Sequence, residues 1–373
     1  LLRVAIDVMG GDNAPDNPIK GSLIALQKIP DLSMVLVGDH LQIEEAVSKL
    51  DFPDNRVEII HASQVVRMSD SPIKAVQRKK DSSIAVALTL HRMGKVQAVV
   101  SAGNTGTQVI ASVLKLGRMN GVLRPVIGSL IPTNGRPCFL LDIGANMDCR
   151  SVYLFQFGIM GAIFVQAVLG IENPRVGILS IGSEKNKGNA VSLFAHHLLK
   201  ESHLNFIGNI EGSDILCGKA DVAVCDGFVG NLLLKFAESF PGFILGKLEN
   251  AFRDKDCDEL ENFFDEQFNP ESYGGVPILG INGVSVVCHG SASPLAIASA
   301  IKVAVEMVDK SINELIADQL SKLRRFYAMN KYFHSLLERW EERQNRIYWN
   351  SKRLFNWFYE PKPGDGDDED ESR

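Results

Sequence analysis

The stretch Val99-Val100-Ser101-Ala102-Gly103-Asn104-Thr105-Gly106-Thr107 sets small and polar residues between an apolar run and an apolar periodic segment. Gly103 and Gly106 let the backbone approach a ligand closely, while Ser101, Asn104 and Thr105 supply hydroxyl and amide groups. The start of a helix carries unpaired N–H groups and the positive end of the helix dipole. A strand, a small loop and a helix start therefore suit an anion, phosphate above all. The same residues serve equally well as a turn and a helix cap, and their spacing is not that of a P-loop. Polar groups also close other apolar runs: Gly10 to Asn13, Asp142 to Asn146, Gly182 to Asn189, Gly208 to Gly212, Asp226 to Asn231 and His289 to Pro294. In open α/β sheets ligands bind beyond the carboxyl ends of strands, so several such ends converging at one edge predict a site.

The elements that must hold these residues alternate. Apolar runs at Arg3–Met9, Met34–Val37, Val57–Ile60, Gln97–Val100, Arg175–Ile181, Phe206–Ile207, Asp221–Cys225 and Ser285–Cys288 read as strands. Helices are expected over Pro18–Lys28, Leu41–Leu50, after Ser71-Pro72, from Asp81-Ser82 to Met93, up to Gly117, and over Tyr153–Leu169. Helices also follow Asn189, Asn231 and Pro294, the last expected to run without a break past Ile312. This order predicts a three-layer α/β/α fold with a mostly parallel sheet covered on both faces. Asn134-Gly135 between Val126–Ile131 and Cys138–Ile143 predicts one antiparallel hairpin inside it. The mixed apolar and acidic segment 240–268 reads as a projecting helical hairpin. The domain expectation is an α/β catalytic domain over 1–316, a basic aromatic amphipathic tail over 317–360 and an acidic disordered end over 361–373.

Composition narrows the function classes. The chain has 373 residues, is 45% hydrophobic and 23% charged, and carries a formal net charge of -6. That charge gives no general affinity for nucleic acid. Six cysteines lie far apart with no C-x-x-C pair, which argues against a zinc site or a disulfide framework and suits a reducing cytoplasm. The first residues run straight into a strand, so no signal segment is expected, and no apolar run is read as long enough to span a bilayer.

Taken in order, Asp7 to Pro15, Ser101 to Gly106, Arg124-Pro125, Leu141 to Asn146, Ile181 to Asn189, Phe206 to Gly212, Asp226 to Asn231 and His289-Gly290-Ser291 resemble the bacterial phosphate acyltransferases of phospholipid synthesis. Those enzymes move a fatty acyl group from acyl carrier protein to inorganic phosphate. The resemblance spans roughly Arg3 to Ile316, with departures at Thr107, Ser180, Ser183 and Val287, where Ala, Asn, an acidic residue and Lys are more usual. It implies a fold similar to phosphotransacetylase and isocitrate dehydrogenase-like enzymes. It also implies a homodimer, a cytoplasmic location at the inner face of the membrane, and a downstream membrane acyltransferase as partner. No cofactor is implied, because the acyl group arrives on the phosphopantetheine of acyl carrier protein.

Under that resemblance a phosphate oxygen attacks a thioester carbonyl. The reaction needs a phosphate cradle, donors for the tetrahedral oxyanion and a proton for the leaving thiolate. Ser101, Gly103, Asn104 and Thr105 are the cradle candidates, and Lys187 is the candidate cation. Asn146 and Asn231 are uncharged donors for the oxyanion, with turn-making or capping as their other reading. His289 can protonate the thiolate or orient phosphate. Asp12, Asp142, Glu184 and Asp226 are read as orienting these groups, with no metal ligation implied. Cys225 and Cys288 fall at strand ends but read as small buried hydrophobes, so direct transfer is expected over an acyl-enzyme. Phosphotransacetylase-like transfer from a coenzyme A ester and a non-catalytic membrane scaffold are the alternatives, the second carried by the tail. There Phe326, Phe333, Leu337, Trp340 and Ile347 alternate with arginines and lysines at helical spacing.

Overall fold

The computed structural model describes residues 1–53, 55–251 and 275–329. The expected second leg of the helical hairpin and the tail beyond residue 329 lie outside the described residues. Two compact units divide the chain at 319/320. The first is built in order from β1 (Leu2–Asp7), α1 (Asp16–Lys28), β2 (Leu32–Gly38), α2 (His40–Ser48), β3 (Val57–His61), α3 (Pro72–Arg78), α4 (Ser83–Arg92), β4 (Ala98–Ser101) and α5 (Thr105–Leu116). It continues through β5 (Val126–Ile131), β6 (Cys138–Leu141), α6 (Ser151–Leu169), β7 (Val176–Leu179), α7 (Ala190–Lys200), β8 (Phe206–Ile210), α8 (Gly212–Leu216), β9 (Val222–Val224) and α9 (Gly227–Ala251). It closes with β10 (Val276–Leu279), β11 (Val284–Val287), α10 (Pro294–Asp309) and the start of α11 (Ile312–Met329), whose last turns belong to the second unit.

Eleven strands form one sheet in the order β3-β2-β1-β4-β11-β10-β5-β6-β9-β7-β8. The apolar runs of β1, β4, β6 and β9 are buried on both faces, as a parallel sheet under two helix layers requires. The Asn-Gly hairpin pairs β5 with β6 antiparallel, Gly128 opposite Leu141 and Ile131 opposite Cys138. The short β10, Val276-Pro277-Ile278-Leu279 between Gly275 and Gly280, is a strand beyond those expected. It pairs antiparallel with both β11 and β5.

These three antiparallel joins change the site geometry. β3, β2, β1, β4 and β11 run one way, whereas β6, β9, β7 and β8 run the other. The strand ends that do come together, those of β4, β11, β6 and β9, therefore meet from two blocks rather than along one edge of a uniformly parallel sheet. An odd number of reversals between β11 and β6 sends their carboxyl ends opposite ways in hydrogen-bond sense. A sheet twists by roughly 20–25° per neighbour, so the two blocks also turn strongly across the central strands.

Two further expectations are corrected. The last long helix is broken, because Ser311 adopts φ 49 between α10 and α11 and a left-handed residue cannot continue a right-handed helix. Helix α6 is long and apolar enough by length and composition to cross a membrane, contrary to the reading that no run is. Two thirds of it (67%) is buried inside the molecule, against the β6 and β9 face, so its apolar surface is already covered.

Candidate active site

The carboxyl end of β4 holds the first half of the site. Asn104 caps α5: its Oδ1 accepts from Thr107 N at 2.9 Å and from Thr107 Oγ1 at 3.1 Å. Its Nδ2 donates to Met68 O at 2.9 Å and Asp70 O at 3.3 Å, fastening the loop before α3. Ser101 is only 1% exposed. Its hydroxyl donates to Asp7 Oδ2 at 2.7 Å and accepts from Gly103 N at 3.0 Å, so it shapes the loop from within. Asp7, the last residue of the neighbouring β1, is buried, and its Oδ1 has no hydrogen-bond partner among the described residues. Burial pushes the Asp7 carboxyl above the usual carboxylate range, against the hydrogen bonds that pull it down. Gly10 is needed here, because a Cβ would stand 2.7 Å from Asp7 Oδ2 and 2.8 Å from Gly103 N. Thr105, the first residue of α5, is exposed.

A cleft of about 430 Å³ opens beside Thr105, between α5 and α9, over the central strands. His289, two residues past β11, lines it and is exposed. The Ser291 backbone N–H donates to His289 Nδ1 at 3.3 Å, and Ser291 Oγ lies 2.8 Å from the same nitrogen. A backbone N–H can only donate, so the neutral ring accepts at Nδ1 and carries its proton on Nε2. Asp12 is exposed, and its backbone N donates to Gly290 O at 2.8 Å; with Asn17 Nδ2 on Ala292 O at 3.0 Å it ties the loop before α1 to the His289 loop.

The second block contributes the other bank. Asp142, after β6, is fully buried, and its carboxylate accepts four N–H groups: Gly144 N at 3.1 Å, Ala145 N at 3.0 Å, Asn146 N at 2.7 Å and Asn146 Nδ2 at 2.8 Å. Burial pushes this carboxyl up and the four donors pull it back. Asn146 Nδ2 also donates to Pro125 O at 2.8 Å, so both amide hydrogens are engaged inside the protein. Asn146 does not line the cleft; Gly144 and Ala145, which Asp142 holds, do. Asp226 caps α9 through Val229 N at 2.9 Å. Gly227 starts that helix against the Asn146 loop, where a Cβ would stand 2.7 Å from Asn146 O. Asn231, one turn into α9, is exposed and lines the cleft.

Lys187 and Glu184 sit elsewhere, in the loop after β7. Both are exposed and neither lines the cleft. Asn209 Nδ2 shares its hydrogens among Glu184 O at 2.8 Å, Lys187 O at 3.1 Å and Gly182 O at 3.4 Å, and Ser180 Oγ donates to Lys187 O at 3.0 Å. Asn209 Oδ1 therefore faces His196 Nδ1, 2.8 Å away, which must carry a hydrogen.

The structure thus brings Thr105, Asn231 and His289 to one cleft. It uses Ser101, Asn104, Asp142, Asn146 and Asp226 to shape the loops around it, and sets Lys187 and Glu184 apart. Sequence reasoning missed Lys235, the lysine that lines the cleft, which pairs with Glu238 at 2.6 Å. Its only signal was its place one turn beyond Asn231 on α9. Asp7 was passed over too, although its position beside the Ser101 strand was available. Burial pushes the Cys288 thiol up to about 12 and the Cys225 thiol well above its usual range, so both are held as thiols rather than nucleophilic thiolates.

Three comparisons bear on what this cleft does. Residues 2–315 match a family model described as fatty acid synthesis protein. A phosphate acyltransferase of Desulforamulus reducens is 42% identical over 327 residues, covering 86% of this chain and 98% of that protein. One from Moorella thermoacetica is 43% identical over 325 residues, covering 85% and 95%. Among solved structures, a phosphotransacetylase from Streptococcus pyogenes superposes with a TM-score of 0.59 at 16% identity, covering 83% of this chain and 94% of that one. EutD phosphotransacetylase from Staphylococcus aureus gives 0.54 at 14%, covering 82% and 94%. At those identities the two structures show a shared fold.

Proposed function

Because the chain belongs to the phosphate acyltransferase family, we propose that it takes a long-chain fatty acyl group from the thioester of acyl carrier protein and passes it to phosphate held at the start of α5. Acyl transfer to phosphate in lipid synthesis is the activity of this family, and the chain is an enzyme of that class. One observation carries the assignment of roles: Thr105 at the α5 N-terminus, Asn231 and His289 line a single cleft whose floor is apolar. The unpaired N–H groups of the first turn of α5 hold the anion, helped by the helix dipole and the absence of acidic residues in that turn.

A phosphate oxygen attacks the thioester carbon and forms the new C–O bond. Asn231 donates to the oxyanion of the tetrahedral intermediate. As the intermediate collapses, the C–S bond breaks and its electron pair leaves on sulfur. The thiolate takes up the proton that hydrogen phosphate loses on forming the new bond, while the His289 Nε2–H donates a hydrogen bond to the leaving sulfur and stabilises its charge. No step uses a cysteine of the protein, so transfer is direct and the kinetics are sequential. The scheme needs no metal or cofactor beyond the carrier's own phosphopantetheine.

Phe228, Leu232, Phe236, Phe240 and Phe243 form an exposed apolar stripe along α9, on a different face from Asn231 and Lys235. The stripe supports a homodimer, since a soluble surface rarely leaves so long a run uncovered. We place the enzyme in the cytoplasm, in peripheral contact with the inner face of the membrane and a downstream acyltransferase.

The test incubates the protein with palmitoyl-acyl carrier protein and labelled phosphate. Acyl phosphate and free carrier thiol are expected, both dependent on phosphate. Turnover only with a coenzyme A ester moves the donor to coenzyme A. Acyl exchange between carrier thiols without phosphate overturns direct transfer.

A further inference from the structure

We infer that the apolar floor of the cleft is the subsite for the acyl chain, and that Val276 and Ile127 set the chain length it accepts. The inference rests on the acyl-transfer reading and deepens it.

The cleft grades from polar to apolar. Its mouth carries the exposed Thr105, Asn231 and His289; its floor carries Val287 (2% exposed), Ile127 (3%) and Ile143 (4%). The sheet register sets the order of that floor. Val276 lies opposite Val287 and Ile278 opposite Ile127. Side chains alternate along a strand, so Val287, Val276 and Ile127 point to one face. Val287 is two residues before His289, at the reacting end. Ile127 is two strands away, roughly 10 Å across the sheet. A chain whose carbonyl sits beside His289 is therefore led over Val276 toward Ile127, with Val109 of α5 and Leu234 of α9 as side walls.

The antiparallel β10 and β5 make this path. They place Val276 and Ile127 on the cleft floor, between two blocks whose strand ends are polar. Val287 adds to it: a charged side chain at this 2% exposed position would break the run. A short acyl group would leave the floor empty. A long one buries methylenes there at about fourfold in binding for each. Val276 is half-buried at the middle of the path, so bulk there shortens the trough; Ile127 closes its far end, so removing bulk there lengthens it.

The experiment uses S-acyl pantetheines with octanoyl, dodecanoyl, palmitoyl and stearoyl chains. Turnover with phosphate and equilibrium binding by calorimetry are read separately, for the wild type and for Val276→Phe and Ile127→Ala. In the wild type, binding tightens with chain length up to a limit. Val276→Phe is expected to lower the palmitoyl-to-octanoyl ratio about fifteenfold, the effect of displacing about two methylenes. Ile127→Ala is expected to move the preference toward stearoyl. Thermal unfolding of each variant reports whether it is folded, and the half-exposed Val276 keeps the test available if Ile127→Ala is not. Length-dependent binding that responds to Val276→Phe supports the subsite even if no acyl phosphate forms, an outcome that would overturn the functional reading alone. Turnover with a chain-length profile that Val276→Phe leaves unchanged overturns the subsite and leaves the function standing.

Discussion

Asp7 and Asp142 close strands on opposite banks of the cleft, and the two carboxylates are used differently. Asp142 collects four N–H groups from three residues just after it, Gly144, Ala145 and Asn146. Its loop is thereby locked, and the polar side chain within it, Asn146, turns inward to Asp142 and Pro125. Asp7 accepts one hydroxyl, from Ser101, and leaves one oxygen buried without a partner. Its corner is held by several lighter ties, and there Thr105 and His289 stay exposed to the cleft. A fully satisfied carboxylate builds a rigid wall; a lightly used one leaves the neighbouring groups free for a substrate.

Asp142→Ala is the strongest test of this contrast. Removing an acceptor for four N–H donors is expected to lower stability by about 3–5 kcal/mol, read by urea unfolding. A loss of less than about 1 kcal/mol would mean that Asp142 is no brace. His289→Ala comes next. It is expected to lower kcat/KM for acyl phosphate formation by about a hundredfold or more with the melting temperature little changed, because among the described residues its ring is held by Ser291 alone. Unaltered turnover would remove it from the reacting end. Asn104→Ala removes the α5 cap and two ties to the 68–70 loop; about 1 kcal/mol of stability is expected to go, with a raised KM for phosphate.

Asp7→Asn is expected to change least, and with a definite pH dependence. Asn keeps an acceptor for Ser101. The wild-type carboxyl has its folded pKa raised by burial, so it binds protons more tightly folded than unfolded. Its ionisation therefore costs stability as pH rises from about 4 through the raised value. The variant escapes that cost. Its stability relative to wild type should be near zero or slightly negative at the acid end and increase with pH. A difference that falls with pH would show that Asp7 is stabilised as a carboxylate after all.

Much of the fold was legible from local pattern. The strand–loop–helix at Ser101, the Asn-Gly hairpin, and the glycine stops at Gly117 and Gly170 follow from apolar periodicity and from positions that adopt positive φ. What failed were decisions made by partners distant in sequence. β10 is four residues long and becomes a strand by pairing on both sides. Asn146 and Asn231 look alike in sequence, each following an Asp and a Gly; one is engaged by a buried carboxylate, the other faces the cleft. Lys187 sits in a polar, glycine-bounded strand end like those lining the cleft. Its strand, β7, stands beyond β9 in the sheet order, and its loop is not among those that line the cleft.

Local residue types therefore determined which segments are strands and helices, which loops can bind an anion, and, through the ordered motifs, the family. These rest on interactions within a few residues of one another. The tertiary structure alone decided which of the polar strand ends share a cleft. Strand direction across an eleven-stranded sheet depends on pairings between β5, β10 and β11, which lie up to 161 residues apart, and no local pattern encodes the sense of such a pairing.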